Sequence, residues 1–184
     1  MGTRRLSETE LTLPQQCARI QMLVLDVDGV LTDGKIIYTD QGAEVKAFHV
    51  RDGTGLKLWT ALGKKAGIIT GRRSGIVDRR ARELGIDAVI QGADDKKAAL
   101  VEMVGAVGLT LEEVCAVGDD VIDVPMLRSC GLAAAVADAC REAKEEADYV
   151  TQTPAGSGAV REVIELILRV QGSWQAIVAR YRND

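Results

Sequence analysis

The sequence predicts an α/β fold, a parallel β-sheet with helices on both faces. Three observations predict it. From Met22 onward, short apolar runs alternate with segments of helical periodicity. Several of those runs stop at carboxylates or at Thr-Gly, the kind of polar strand end where α/β sheets bind ligands. The 184 residues are 47% hydrophobic but only 3% aromatic, so the core must be built from Val, Ile, Leu and Ala.

Each element follows from its own residues. Residues 1–18 are polar without sustained periodicity and read as an N-terminal tail or loosely docked segment, leaving 19–184 as one domain. Met22 to Val27 is an apolar run ending in carboxylates, a buried strand. Lys35 to Tyr38 and Glu44 to Val50 are β-like and flank Thr39-Asp40-Gln41-Gly42, which predicts a hairpin at about 34–50. Gly55 to Leu62 reads as helix, Lys65 to Thr70 as strand, Ser74 to Leu84 as helix and Ala88 to Gln91 as strand. A helix is expected from about Asp95 to Val107, and Thr110-Leu111-Glu112-Glu113 matches a capping box opening a brief helix. Val114 to Val117 is a strand ending at carboxylates. Val121 to Ser129 reads as helix with Pro125 near its first turn, and Leu132 to Ala135 as the last strand. Val160, Val163, Ile164, Ile167 and Leu168 repeat at helical spacing and predict a closing helix on the core.

Composition excludes several classes. The balance of 27 acidic against 23 basic residues gives a net charge of −4, which argues against nucleic acid or an anionic membrane as partner. The basic cluster Arg72, Arg73, Arg79, Arg80 and Arg82 is interrupted by Asp78 and Glu83 and, Arg72 aside, reads as a solvated helix face. No apolar run is long enough to span a bilayer. Arg4 and Arg5 are not followed by an apolar signal region, and Leu6 stands where a myristoylation signal needs Ser or Thr after Gly2. Cys17, Cys115, Cys130 and Cys140 lack CxxC spacing and read as free thiols in a reducing cytoplasm.

The strand ends carry the chemistry. Asp26 and Asp28 are two residues apart and point the same way. Alone they are equally an Asx turn. A calcium loop fails, because its sixth position is Leu31 and its twelfth Ile37. A P-loop fails too: Gly29-x4-Gly34-Lys35 is one residue short and Ile36 replaces the magnesium-binding hydroxyl. Asp119, Asp120 and Asp123 follow a second strand, where a solvated helix N-terminus is the plain alternative. If the two strands are neighbours, the acids crowd together and repel unless a cation joins them. Oxygen-only ligands suit Mg²⁺. The single histidine, His49, reads as structural or rim-lining. Thr70-Gly71-Arg72 offers a hydroxyl and a free amide to a phosphate, although Thr70 alone is as well a helix cap. Lys96 opens the next helix, where a lysine is usually just solvated, but because it follows the third strand it could reach the same cleft.

In order, Asp26-x-Asp28-Gly29-Val30, Thr70-Gly71-Arg72, Asp95-Lys96 and Gly118-Asp119-Asp120-x-x-Asp123 resemble the four motifs of the haloacid dehalogenase superfamily of phosphatases. The resemblance covers about residues 20 to 170 and implies a Rossmann-like fold of that superfamily. Val50-Arg51-Asp52-Gly53, Gln91-Gly92-x-x-x-Lys96, Ala137-Asp138, Ala147 to Thr151 and Gly158 to Val163 narrow it. They are similar to the group acting on 3-deoxy-D-manno-octulosonate (KDO) 8-phosphate, which also includes phosphatases of nine-carbon sialic-type sugar phosphates. Nine-carbon-specific members carry Glu where this chain has Arg72, which favours the eight-carbon sugar. Ser157 departs from the Arg of the closest relatives in the tail glycine loop, which puts specificity in question.

The resemblance implies roles. Asp26 is the nucleophile, forming an aspartyl phosphate, and Asp28 the general acid and then base. Mg²⁺ is held by Asp26, the Asp28 backbone carbonyl and Asp119. Thr70 and the Gly71 amide bind phosphoryl oxygens, and Lys96 counters negative charge. Asp120 and Asp123 orient Lys96 and metal-bound water, and Arg72 pairs with the sugar carboxylate. The expected activity is Mg²⁺-dependent phosphate-monoester hydrolysis in lipopolysaccharide-precursor synthesis. A non-catalytic oligomerisation module is the rival from another class, though such a module has no need of Asp26, Asp28, Thr70, Lys96 and Asp119 together. The gaps from Asp28 to Thr70 and from Thr70 to Lys96 leave no room for a cap domain, so the hairpin is the candidate cover. The resemblance implies a homotetramer in which a neighbour's hairpin caps each site.

Overall fold

The computed structural model describes residues 11–86 and 88–182. The targeting arguments at Gly2, Arg4, Arg5 and Leu6, and the tail as far as residue 10, lie outside the described residues.

Six parallel strands form the sheet, in the order β5-β4-β1-β6-β7-β8. They are β1 (Met22–Leu25), β4 (Lys65–Thr70), β5 (Ala88–Gln91), β6 (Val114–Gly118), β7 (Leu132–Ala135) and β8 (Tyr149–Val150). A separate antiparallel hairpin pairs β2 (Ile37–Tyr38) with β3 (Glu44–Val45). The helices are α1 (Leu13–Arg19), α2 (Val50–Ala61), α3 (Gly75–Leu84), α4 (Lys96–Ala106), α5 (Val124–Leu127), α6 (Arg141–Glu146), α7 (Ala159–Val170) and α8 (Trp174–Arg182). The α/β expectation with a hairpin insertion therefore holds, and no cap domain interrupts the sheet among the described residues.

Chain order explains where the site must lie. From β1 the chain steps outward through β4 to β5, then crosses back to β6 on the other side of β1 and proceeds to β7 and β8. Strand order thus reverses beside β1. The crevice opens beyond the carboxyl ends of β1 and β6, where the loops leave in opposite directions. β1 and β6 are buried along their whole length, so their ends are held by the core itself.

The closing helix carries its predicted face inward: Val160, Val163, Ile164, Ile167 and Leu168 of α7 are all buried. Trp59 of α2 is fully buried, and its indole N–H donates to the Lys65 carbonyl at 2.6 Å. All four cysteines are free, with Cys17 and Cys115 buried. No described helix is long and apolar enough to cross a membrane.

The structure departs from the sequence reading in several elements. In the segment 1–18 read as a tail or loosely docked segment, Leu13 opens helix α1, which runs to Arg19. It is docked: Cys17 is buried, and Gln171 Nε2 donates to the carbonyls of Cys17 and Ile20 at 2.8 and 2.9 Å. Helix α2 begins at Val50 rather than Gly55. Gly53 and Gly55 weaken its intrinsic propensity, but they permit a close approach. A Cβ at Gly55 would sit 3.0 Å from Arg161 Cδ, and the Asp52 carboxylate accepts from the Arg161 amide at 2.7 Å. The 121–129 segment splits into a 3₁₀ turn over Val121–Asp123 and the short α5. Finally, α6, β8 and α8 extend the domain beyond the predicted elements. The α6 segment buries only Ala143, so it shows no apolar periodicity to read.

Candidate active site

The crevice collects residues from four strand ends. The turn after β1 is tight: the amides of Val30, Leu31 and Thr32 all donate to the Val27 carbonyl, at 3.3, 2.9 and 3.0 Å. The Asp26 amide donates to Val117 of β6 at 3.1 Å, which fixes Asp26 against the strand that delivers Asp119. Gly29 has φ of +98°, and a Cβ there would lie 2.1 Å from Asp119 Oδ2. Only glycine lets the two turns meet this closely.

Carboxylate oxygens of Asp26, Asp119 and Asp123 lie within 4.8 Å of one another. Lys96, first residue of α4, enters this group, with its Nζ 3.0 Å from Asp26 Oδ1 and bonded to Asp123 Oδ1. Lys96, Asp26 and Asp123 are all buried. The other Asp123 oxygen accepts from the amides of Asp119 and Asp120 at 2.9 and 3.2 Å. Asp123 therefore fixes both the ammonium and the backbone that carries Asp119. Asp120 faces its own turn, accepting from the Val121 amide at 2.7 Å.

Burial drives the electrostatics. Desolvation, reinforced by the Asp123 charge and opposed by Lys96, pushes the Asp26 carboxyl up to about 6. Desolvation and the charges of Asp123, Asp26 and Asp120 push Asp119 up to about 7. Burial alone would lower Lys96, but Asp26 and Asp123 outweigh it and hold the ammonium above its ordinary value. Asp119 Oδ1 is buried without a hydrogen-bond partner. A crowded oxygen-only set with an orphaned buried carboxylate oxygen and one cation is short of positive charge. That is the chemistry of a hard divalent-cation site.

Thr70, at the end of β4, is buried, and its hydroxyl oxygen accepts from the Arg72 amide at 3.4 Å. Gly71 has open space around it, its nearest neighbour being the Ala93 carbonyl at 3.8 Å from a built Cβ. Arg72 turns toward the hairpin, with Nη2 2.8 Å from Glu44 Oε1 and Nε 3.6 Å from Asp28 Oδ2. The Asp28 side chain stands apart from the Asp26–Asp119–Asp123 group and pairs with Lys46. The tail glycine loop folds toward the β1 turn: the Gly156 amide donates to Val30 at 3.1 Å, while the Ser157 hydroxyl donates to Ala155.

Residues 80–164 match the haloacid dehalogenase-like hydrolase family. A 3-deoxy-D-manno-octulosonate 8-phosphate phosphatase from Yersinia pestis is 45% identical over 157 residues, 85% of this chain and 84% of that protein. The chain belongs to the haloacid dehalogenase-like hydrolases. Among solved structures, the hydrolase is similar to the same-named phosphatase of Moraxella catarrhalis in complex with magnesium, phosphate and KDO. Identity is 44%, the TM-score 0.89 and coverage 91% of this chain and 97% of that one. A cobalt-bound form from Haemophilus influenzae is 39% identical with a TM-score of 0.83, covering 86% of this hydrolase and 92% of its own chain.

Sequence reasoning missed Glu44 and Lys46 of the hydrolase. Lys46 pairs with Asp28 and Glu44 with Arg72, and the Ser74 hydroxyl also donates to Glu44 at 2.6 Å. A signal was present: Glu44 and Lys46 flank Val45 at i and i+2, opposite charges on one side of a strand.

The raised carboxyls make a stability prediction. In the folded hydrolase Asp119 keeps its proton to about 7, whereas its ordinary value is 3.8. The folded state then binds more protons than the unfolded one across that window, so raising pH favours unfolding. In EDTA, the Tm of the native protein should fall relative to that of Asp119→Asn between about pH 4 and 7. Calorimetric scans giving parallel Tm curves for the two proteins would contradict the raised carboxyl.

Proposed function

We propose that the chain is a Mg²⁺-dependent phosphatase that hydrolyses KDO 8-phosphate to KDO and phosphate, in the cytoplasm, for lipopolysaccharide synthesis. The observation that carries the reading is its 44% identity, across 91% of the chain, to a phosphatase solved with magnesium, phosphate and KDO. It is supported by Asp26, Asp119 and Lys96 converging at the β1/β6 crevice. Free cysteines suit a reducing compartment.

Asp26 and Asp119, with the Asp28 carbonyl, would hold Mg²⁺; the orphaned Asp119 Oδ1 and the oxygen-only donor set fit that ion. When bound, the ion supplies positive charge that offsets the carboxylates and aligns the phosphoryl group. A carboxylate oxygen of Asp26 attacks phosphorus, the ester P–O bond breaks, and an aspartyl phosphate forms. Asp28 gives a proton to the departing sugar oxygen. Asp28 then takes a proton from water as that water attacks phosphorus and frees Asp26. The Thr70 hydroxyl and the Gly71 amide bind phosphoryl oxygens. Lys96, already 3.0 Å from Asp26, offsets the charge that builds on nucleophile and phosphate. Asp123 holds Lys96 in that position, and Asp120 orders the turn that carries Asp119. Arg72, whose guanidinium is turned toward Glu44 through Nη2 and toward Asp28 through Nε, would supply the cation for the sugar carboxylate.

The reading is tested by phosphate release with Mg²⁺ from eight- and nine-carbon keto-acid phosphates. A strong preference for the eight-carbon compound, lost in EDTA, is expected. Preference for the nine-carbon compound would reassign the substrate, and metal-independent turnover would overturn the metal role.

Asp26→Asn should lower turnover by at least about four orders of magnitude, since it removes the nucleophile itself. Circular dichroism and Tm should remain those of a folded protein. Retained turnover would remove Asp26 from the nucleophile role.

The reading includes a homotetramer in which a neighbour's hairpin covers each site. Ile36, Ile37, Tyr38 and Val45 of the hairpin are exposed apolar residues, a surface suited to burial against another subunit. Light scattering after gel filtration at micromolar concentration should give a tetramer. A monomer would leave the crevice without that cover and refute this part of the reading.

A further inference from the structure

We propose that Lys46 is a positioning residue for Asp28: it clamps one carboxylate oxygen so that the other faces the leaving group. The inference rests on the acid–base role given to Asp28 above and adds the device that holds it.

Three observations carry it. The Lys46 side chain is only 2% exposed although it follows a two-residue strand of an otherwise exposed hairpin. Its ammonium is bonded to Asp28 Oδ1 and lies 3.4 Å from Glu44 Oε1. Asp28 Oδ1 also faces the Thr32 hydroxyl at 3.4 Å, whereas Asp28 Oδ2 is buried with no hydrogen-bond partner. One oxygen is thus tethered twice, while the other makes no hydrogen bond and has only the Arg72 guanidinium, at 3.6 Å, beside it. Glu44 in turn accepts from the Ser74 hydroxyl and Arg72 Nη2, at 2.6 and 2.8 Å, so the clamp is anchored to the N-terminus of α3.

Stability is a poor reason for this arrangement. A buried ion pair contributes little net stabilisation, because desolvating both charges offsets most of their attraction. An apolar residue at position 46 would serve the hairpin as well. What the ammonium does supply is direction. A carboxylate on a free χ1 and χ2 samples several rotamers, while one held on a single oxygen presents the other along one line. The hairpin thereby acts on the site of its own subunit.

The test compares Lys46→Met, Lys46→Arg and Asp28→Asn in single turnover, with KDO 8-phosphate and with p-nitrophenyl phosphate. The sugar alkoxide needs a proton to leave, and p-nitrophenolate does not. Lys46→Met should slow release of the sugar about 10- to 100-fold, part of the 10²- to 10⁴-fold that a general acid contributes. It should change p-nitrophenol release less than about threefold. Lys46→Arg should restore most of the loss, and KM should move little. Thr32→Val, which keeps the Lys46 ammonium on Oδ1 and removes only the Thr32 contact to it, should show a smaller loss with the same substrate selectivity. It keeps the test decisive if Lys46→Met fails to fold. Equal losses on both substrates, or a rise in KM alone, would overturn the proposal. If Asp28→Asn itself shows no leaving-group selectivity, the acid role fails instead. Selectivity in Asp28→Asn without it in Lys46→Met and Thr32→Val sinks the clamp alone.

Discussion

The arrangement of the crevice depends on one buried ammonium. Lys96 sits between Asp26 and Asp123 in a place too dry for any of the three to be charged alone. Remove the ammonium and two buried carboxylates face each other, at a cost of several kcal/mol. Because Asp123 also accepts from the amides of Asp119 and Asp120, the same ion network sets the backbone that carries the third carboxylate. Lys96 reaches this point from α4, beyond the strand that pairs with β4 rather than with β1. The switch in strand order therefore does more than open a cleft. It lets side chains from both halves of the sheet converge on one charge balance with more carboxylates than ammonium groups.

Much of this was legible in the sequence because it obeys local rules. Strands β4, β5 and β7 have the bounds read for them from the sequence, and α7 announces itself by a five-residue apolar face. The elements that escaped are those whose stability is tertiary. Helix α1 is held by Gln171 from the far end of the chain, and the first turn of α2 by a carboxylate–amide bond to α7. No window of neighbouring residues contains either interaction. Helix propensity pointed the wrong way at Gly53 and Gly55, since there glycine is needed for contact between helices.

The site divides along the same line. Asp26, Asp28, Thr70, Lys96 and Asp119 follow strands, so their convergence could be inferred from topology once the strands were placed. Glu44 and Lys46 belong to a hairpin outside the main sheet, and no strand-end rule says where a hairpin will fold back. Their i, i+2 spacing put both charges on one side, yet which partner that side would meet depended on the three-dimensional path from Asp28 to α2. Arg72 shows the converse. Its position after β4 was predictable, but its bond to Glu44 and the approach of its Nε to Asp28 were not.

In the proposed assembly the hairpin would resolve a problem that a capless α/β enzyme must face. A strand-end cleft holds catalytic groups well and encloses them badly, since water reaches it from above. Here the hairpin carries two opposed surfaces. Its inward charges, Glu44 and Lys46, engage Asp28, Arg72 and Ser74 of the same chain. Its outward residues, Ile36, Ile37, Tyr38 and Val45, are apolar and exposed. In the proposed assembly the outward face gathers neighbours over the crevice, and the inward face anchors the hairpin to the acid–base carboxylate. Cover and alignment would then be coupled through a few residues. Losing the neighbour would loosen the hairpin and with it the orientation of Asp28. The proposed assembly would thus tie oligomer formation to the leaving-group step rather than to phosphate binding, the role proposed for Thr70, Gly71 and Lys96 on the sheet side of the cleft.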